Sequence, residues 1–406
     1  MKHLQQIFVA PLRLLQLEGY NTVRWVRNMH TVPHLIKHPP KVPFVWTMRI
    51  RLYLALTSIV VLGVCFLDHW LKFLVILCTP FFVNSMMNLG IQIVEWIVRG
   101  YWNRILHHHA VPHRIAIVGS YGKTSTKQFL KRLLQQQFEV IASPDSFNTT
   151  LGIARFLEAE LTRKTEVMII EMDAYKLGEI RSLCRMIQPT MTIITAIGPQ
   201  HLERFGSIEN ITQSVLEATE GVSTVIRGDQ IDNPDPLTRQ ATHLFGRVHY
   251  LNLTTAIQAS KVLGILEQTV RRTLPYLTPP DHRLSMQILK NQRCTVIVDN
   301  AFSSNRDGFL HNLQNLAERK GKNAVITPGL VELGKQSISV HQELATLLKH
   351  LDLDWHLIKN KNTVAMMPYL SNVTLYDRTA RAGDIIARIQ DKYNTILIEN
   401  DLPDQY

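Results

Sequence analysis

The 406-residue chain is expected to be α/β: a parallel-sheet domain opened by a phosphate loop, then a smaller Rossmann-like domain, with a helical transmembrane hairpin ahead of both. Three observations carry that expectation. Two long uncharged runs lie within the first hundred residues. A short apolar run leads into a glycine loop ending in Gly-Lys-Thr, and then into a helical pattern. Beyond it, short β-type runs alternate with helical patterns, which implies a largely parallel sheet with helices on both faces. The boundaries that follow are residues 1–110, 111–279 and 280–406.

At roughly 100–200 residues per domain, the length allows two or three folded units. Hydrophobic residues make up 46% and charged residues 19%, so a disordered or fibrous chain is excluded. Cys65, Cys78, Cys184 and Cys294 form no CxxC pair. That excludes a cysteine zinc site, argues against a disulfide scaffold and points to a reducing compartment. The net charge of +11 raises the question of nucleic acid. Residues 1–110 hold eleven Lys or Arg and three acids, so eight of those charges lie there and the remaining chain carries only +3. The basic residues flank apolar runs, so no nucleic-acid partner is expected.

Residues 52–67 carry no formal charge, and residues 73–94 form a second such run, diluted by Asn84, Asn88 and Gln92. A spanning helix needs about 20 apolar residues, with a lower limit near 17, so the second run suffices and the first must borrow flanking residues. Spans over about residues 50–68 and 73–96 are expected. Eight Lys or Arg precede the first run and two follow the second. By the positive-inside rule both ends then face the cytoplasm, which puts the soluble domains on the cytoplasmic side of the cytoplasmic membrane, with membrane lipid as a partner. Trp46, Trp70, Trp96 and Trp102 fall near the expected interfaces. The apolar stretch begins some fifty residues in, which argues against a signal peptide. A buried hairpin of a soluble protein and a hairpin lying in the interface are the alternatives. Residues 12–26 have apolar side chains at helical spacing, and the run 107–109 (HHH) reads as a polar linker.

The loop comes next. Residues 114–118 (RIAIV) read as a strand, residues 119–125 (GSYGKTS) as a turn and residues 126–137 as a helix. Glycines let the backbone approach phosphates, and the helix N-terminus supplies N–H donors. Gly119, Ser120, Gly122, Lys123, Thr124 and Ser125 are therefore the candidate nucleotide-binding residues. Lys123 is suited to the β and γ phosphates, and the Thr124 hydroxyl to magnesium. The longer loop form GxxxxGK[ST] has glycine where this chain has Ile117, so the match is to a shorter GxxGK[ST] form.

Strands are then expected over 167–172, 191–197 and 223–226, and helices over 178–187, 208–220 and 255–274. Ligands of such sheets collect at the carboxyl ends of strands. Glu171 ends VMIIE, His201 follows TIITAIGPQ, and Asn148 lies in the polar segment 143–150. Each has a bland reading as a solvated strand end or loop residue. The last part alternates again, with strands over 295–299, 324–327 and 395–399 and helices over 306–318 and 341–351, which suits a lid closing over nucleotide.

The chain resembles the Mur ligase family. The segments that carry the resemblance are GSYGKTSTK (119–127), SFNTTLGI (146–153), EMDAYKLGEI (171–180), HLERFGSIENI (201–211), HRL (282–284), VDNAFSSNRDGF (298–309) and TPGLVELG (327–334), followed by His341. They lean toward the members that add D-alanyl-D-alanine to a UDP-N-acetylmuramoyl-tripeptide. The short loop is that family's form. The resemblance implies an ATP-dependent amide ligase that phosphorylates a carboxylate to an acyl phosphate, which an amine then attacks. Lys123 and Gly122 would hold phosphates and Thr124 a first Mg2+. Glu171 and His201 would hold a second. Asn148 and Thr149 would lie beside the substrate, Arg283 would reach the phosphates, and Asp299 and Asn305 would touch the nucleoside. ATP, a peptidoglycan precursor or other carboxylate, and an amine are the implied partners.

Three departures stand out. Many members carry a carbamylated lysine where this chain has Val215, and no lysine occurs between Lys176 and Lys261. The DDAYNANP-like segment is DNAFSSNR (299–306). Apolar runs stand where the UDP-sugar domain is expected, so the acceptor is expected either to be held differently or to be delivered at the membrane on a lipid carrier. A Mur-type ligase for another polymer such as poly-γ-glutamate, and a non-catalytic nucleotide-binding scaffold of cell-wall synthesis, remain alternatives.

Overall fold

Apolar residues at helical spacing draw the N-terminal segments into a small helical unit, and apolar β-runs draw the rest into two sheets. The computed structural model describes residues 2–17, 20, 25, 29, 32, 45–63, 69–109, 111–144, 147–198, 202–241, 243–291, 293–301, 306–330, 333 and 336–400. The chain divides into two units, Met1–Ile97 and Val98–Leu402.

The first unit is built from α1 (Lys2–Leu17), α2 (Met48–Gly63) and most of α3 (His69–His108). Leu12, Leu14, Leu15, Trp25, Ile50, Tyr53 and Val83 form its core. The asparagines that dilute the second apolar run have partners inside this unit. Asn84 donates to the Tyr20 carbonyl at 2.8 Å and Asn88 to the same oxygen at 3.3 Å. Arg49 lies 3.8 Å over the Tyr20 ring and donates to Asn88 Oδ1. The outward residues Leu52, Leu56, Ile59, Phe82, Met86, Leu89 and Ile93 are exposed. Among the described residues, one helical stretch, Cys78–His108, is long and apolar enough to cross a membrane. The residues of the second expected span lie in α3, a helix that runs on to His108. The first is met by the 16 residues of α2, about 24 Å at the helical rise, which is short of a ~30 Å hydrocarbon core.

The second unit holds two sheets. In the first, β1 (His113–Val118), β2 (Val140–Ala142), β3 (Val167–Glu171), β4 (Met191–Ile194) and β5 (Thr224–Arg227) stand in the order β2-β3-β1-β4-β5, all parallel. Helices α4 (Lys123–Leu134), α9 (Gly246–Val262) and α10 (Glu267–Thr273) share one apolar cluster with it, through Phe129, Leu133, Leu253, Ile257 and Val270. Helices α5 (Thr150–Glu160), α6 (Glu179–Ile187) and α8 (Ile208–Leu216) share a second cluster, which also takes Val98, Trp102 and Leu106 of α3. The short α7 (Leu202–Phe205) precedes α8.

The second sheet runs β10-β9-β8-β11-β7-β6, with only β6 antiparallel. Its strands are β6 (Ser285–Ile288), β7 (Val296–Asn300), β8 (Asn323–Thr327), β9 (Asp354–Ile358), β10 (Val373–Tyr376) and β11 (Thr395–Glu399). Helices α11 (Arg306–Ala317), α12 (Ser337–Leu348), α13 (Lys361–Met366) and α14 (Ala382–Ile389) flank it. The fold is the expected α/β one.

Several local expectations are corrected. The helix expected over 255–274 is two helices, because Gly264 takes φ +85° and the N–H groups of Gly264 and Ile265 turn back to the Lys261 and Ser260 carbonyls at 3.0 Å. The helix expected from 126 already begins at Lys123, with Gly122 as its left-handed N-cap. The sequence reading also passed over α5, β6, β9, β10 and α14.

Candidate active site

Strand register sets the site. Pairing of β1 with β3 places Ile117 beside Glu171, and pairing of β1 with β4 places Val118 beside Ile194. The loop that leaves β1 at Gly119 therefore emerges between the carboxyl ends of β3 and β4, the edge where ligands of parallel sheets bind. Two glycines are required there. Gly119 has φ +134°, and a Cβ on it would meet the Ala196 carbonyl oxygen at 2.8 Å. Gly122 has φ +82°, and its added Cβ would meet the Asn252 side chain, with Cγ at 3.0 Å. The loop is tied to the segment after β4. Ser120 N donates to the Ala196 carbonyl at 2.6 Å, and Ser120 Oγ donates to the Gly198 carbonyl at 2.9 Å. The Thr195 hydroxyl donates to the Tyr121 carbonyl.

Lys123, Thr124 and Ser125 open α4 and are buried. Lys123 Nζ lies across the loop, donating to the Gly119 carbonyl at 2.7 Å and the Ser120 carbonyl at 3.4 Å, and stands 3.6 Å from Asp173 Oδ1. The Thr124 hydroxyl donates to the Glu171 carboxylate, 3.2 Å from either oxygen. Lys127, one turn further along α4, donates to Glu171 Oε2 at 2.7 Å. The Glu171 backbone N–H donates to Ser143 Oγ at 3.0 Å. The outcome is a cluster of two buried ammonium groups, one buried carboxylate and the half-buried Asp173 at the edge of the loop.

That set suits a magnesium-bound nucleotide. The loop amides and Lys123 are phosphate donors. The Thr124 hydroxyl spends its proton on Glu171, so its lone pairs are available to a hard cation, and all the oxygen donors match magnesium. Among the described residues, no group of three or more His, Cys, Asp or Glu is placed to hold a metal by itself.

The other expected residues have varied fates. His201 and Asn305 lie outside the described residues. Asn148 is half-buried just ahead of α5. Thr149 caps α5, with Oγ1 accepting from Gly152 N at 3.3 Å, and Arg99 of α3 donates to Thr150 Oγ1 at 3.2 Å. Arg283 stands in the link to the second sheet, between His282 and Leu284, both with left-handed φ. Its backbone carbonyl receives a hydrogen bond from His249 of α9. Asp299 binds His282 Nδ1 at 2.6 Å and accepts from Ala301 N at 2.9 Å. His341 is buried, where Nε2 accepts from Leu330 N at 2.7 Å and Nδ1 meets the Ser337 carbonyl, and burial holds its pKa below the usual range. His341 thus shapes the turn after β8.

Val215 is buried in the apolar cluster with Met172, Ala174 and Ile180. Helix α8 brings no charge through that position.

Sequence reasoning missed Lys127, Asp173, Asn252 and His249. Spacing could have found the first, since four residues from Lys123 is one helical turn and the same face. His249 is fully buried against Phe129, with ring centroids 5.8 Å apart, and burial pushes its pKa down to about 4.

Known proteins share these features. Residues 117–259 match the Mur ligase middle domain. The UDP-N-acetylmuramoyl-tripeptide--D-alanyl-D-alanine ligase of Mycobacterium tuberculosis strain H37Rv is 28% identical over 289 residues, covering 59% of this chain and 56% of that protein. The ligase of the same name from Rickettsia prowazekii is 42% identical over 109 residues, or 27% of this chain and 24% of that one. The chain thus spans little more than half the length of the first of these relatives. Among solved structures, MurF from Acinetobacter baumannii superposes with a TM-score of 0.64 at 18% identity, covering 76% of this chain and 78% of that one. MurF ligase from Thermotoga maritima in complex with ADP gives 0.62 at 18% identity, covering 74% and 80%. Residues 117–259 thus match the Mur ligase middle domain, and the two-sheet body around them has the fold of those MurF structures.

Proposed function

We propose that the protein is a membrane-anchored, ATP-dependent amide ligase that acts on a peptidoglycan precursor, joining D-alanyl-D-alanine to a UDP-N-acetylmuramoyl-tripeptide or its lipid-linked equivalent. The observation that carries the reading is the buried set of Lys123, Thr124 and Glu171 at the mouth of the loop, within a Mur ligase middle domain. In this reading Lys123 and the loop amides neutralise the phosphates. Thr124 ligates the nucleotide's magnesium, and Glu171 fixes the hydroxyl that does so. Charge neutralisation and positioning are the main demands of phosphoryl transfer to a carboxylate. The relatives' printed name supplies the substrates.

The anchor rests on the length and composition of Cys78–His108, the exposed apolar row Phe82, Met86, Leu89 and Ile93, and the basic residues ahead of α2. The catalytic unit is proposed to face the cytoplasm. Cys294 is exposed, so a variant keeping only that cysteine should react with an impermeant maleimide in lysed cells and not in intact ones. Labelling of intact cells would refute the orientation.

The activity is tested by phosphate release from the detergent-solubilised full-length chain with Mg-ATP, with and without the tripeptide nucleotide and D-alanyl-D-alanine, beside Lys123→Ala. Release that needs both substrates and vanishes in the variant is expected. A lipid-linked acceptor used better than the soluble nucleotide would establish delivery at the membrane. ATP binding without stimulated release would refute the substrate assignment and favour a scaffold.

A further inference from the structure

The least expected feature of the loop is Lys127. It is buried, with 5% side-chain exposure, and its ammonium sits 2.7 Å from Glu171 Oε2, whose side chain is 6% exposed. A buried ammonium is costly unless paired, so both groups are held in this arrangement. Glu171 is further restrained by the Thr124 hydroxyl on its carboxylate and by Ser143 on its backbone N–H. The local charges are balanced: Lys123 and Lys127 face Asp173 and Glu171. Val215, buried among apolar side chains, adds no anion.

A magnesium ion on Glu171 would need to sit about 2.1 Å from a carboxylate oxygen. At Oε2 it would share that oxygen with the Lys127 ammonium, two like charges on one acceptor, while Asp173, the other carboxylate of the cluster among the described residues, faces Lys123. We propose that Lys127 is the fixed second cation of this site, so that the nucleotide brings one magnesium, on Thr124, and no second metal enters at Glu171. The inference rests on the nucleotide-binding reading above. It concerns how many metal ions accompany the nucleotide.

Manganese takes the same oxygen ligands as magnesium and is visible by electron paramagnetic resonance. The full-length chain is titrated with manganese in the presence of a non-hydrolysable ATP analogue, and the bound metal is counted per bound nucleotide. One manganese is expected for the wild type and for Lys127→Arg, which keeps the charge. Lys127→Met frees Oε2, and a second manganese should then bind, at least tenfold more weakly than the first. Two manganese ions per nucleotide in the wild type would overturn the proposal and leave nucleotide binding intact, and this count needs no variant to fold. A single unchanged ion in a Lys127→Met protein that still binds nucleotide would overturn it as well. Failure to bind the nucleotide at all would overturn the phosphate-loop reading, and this proposal with it.

Discussion

The buried histidine of α9 makes a quantitative test of the core. His249 lies against Phe129 of the loop helix and donates to the Arg283 carbonyl, while its Nδ1 has no partner among the described residues. Burial lowers its pKa from 6.5 to about 4. In the folded state the ring therefore stays neutral down to about pH 4, whereas in the unfolded chain it protonates near pH 6.5. Between those values the unfolded state binds the extra proton, so stability falls as pH falls. At 1.36 kcal/mol per pKa unit, lowering the pH from 7 to 5 should cost about 2 kcal/mol through this residue alone. The assay is urea unfolding of the detergent-solubilised chain at pH 7, 6 and 5, comparing wild type with His249→Gln. His341 and His356 also have pKa values lowered by burial, so both proteins should lose stability in acid. The wild type should lose about 2 kcal/mol more. Equal pH dependence in the two proteins would refute the reasoning, since it would mean that His249 protonates alike in both states.

Other outcomes follow from the same geometry. Gly119→Ala should abolish nucleotide binding and lower stability by more than about 1 kcal/mol, because φ +134° and the Ala196 carbonyl leave no room for a methyl; fluorescent-nucleotide titration and thermal melting check both. Lys123→Ala should weaken ATP-analogue binding at least tenfold in equilibrium dialysis, since the loop loses its buried ammonium. Val215→Lys should cost roughly 3 kcal/mol or more in urea unfolding, because an ammonium would enter an apolar cluster. Tyr393→Phe should cost about 1–2 kcal/mol, also by urea unfolding, since its hydroxyl bridges Asp354 at 2.7 Å and His356 Nε2 at 3.1 Å.

Much of the site was legible in order along the chain. The strand, the glycine turn and the helix that hold Lys123 and Thr124 are contiguous, and each obeys a local rule. Glu171 was marked by its place at the end of an apolar run. Other features were illegible for identifiable reasons. That Thr149, expected beside the substrate, also caps α5 was not foreseen, since a threonine ahead of a helix has the same sequence context in either role. The break at Gly264 was missed because the apolar pattern continues through it. The strands β9 and β10 were passed over, since DWHLI and VTLY alternate too briefly to stand out from loop sequence. Asn84 and Asn88 counted against a membrane helix, yet both bond to the Tyr20 carbonyl, a partner more than sixty residues away.

By itself, then, the sequence determined the α/β class, the phosphate loop, the order of its strands and helices, and the apolar character of the helix ending at His108. These are properties of contiguous segments, where backbone preference and side-chain period act on neighbours. Tertiary structure alone decided which charges meet. The ammonium of Lys127 and the carboxylate of Glu171 are 44 residues apart in the chain and 2.7 Å apart in space. Parallel pairing of β1 with β3 brings them together, and burial then makes each the partner the other cannot do without.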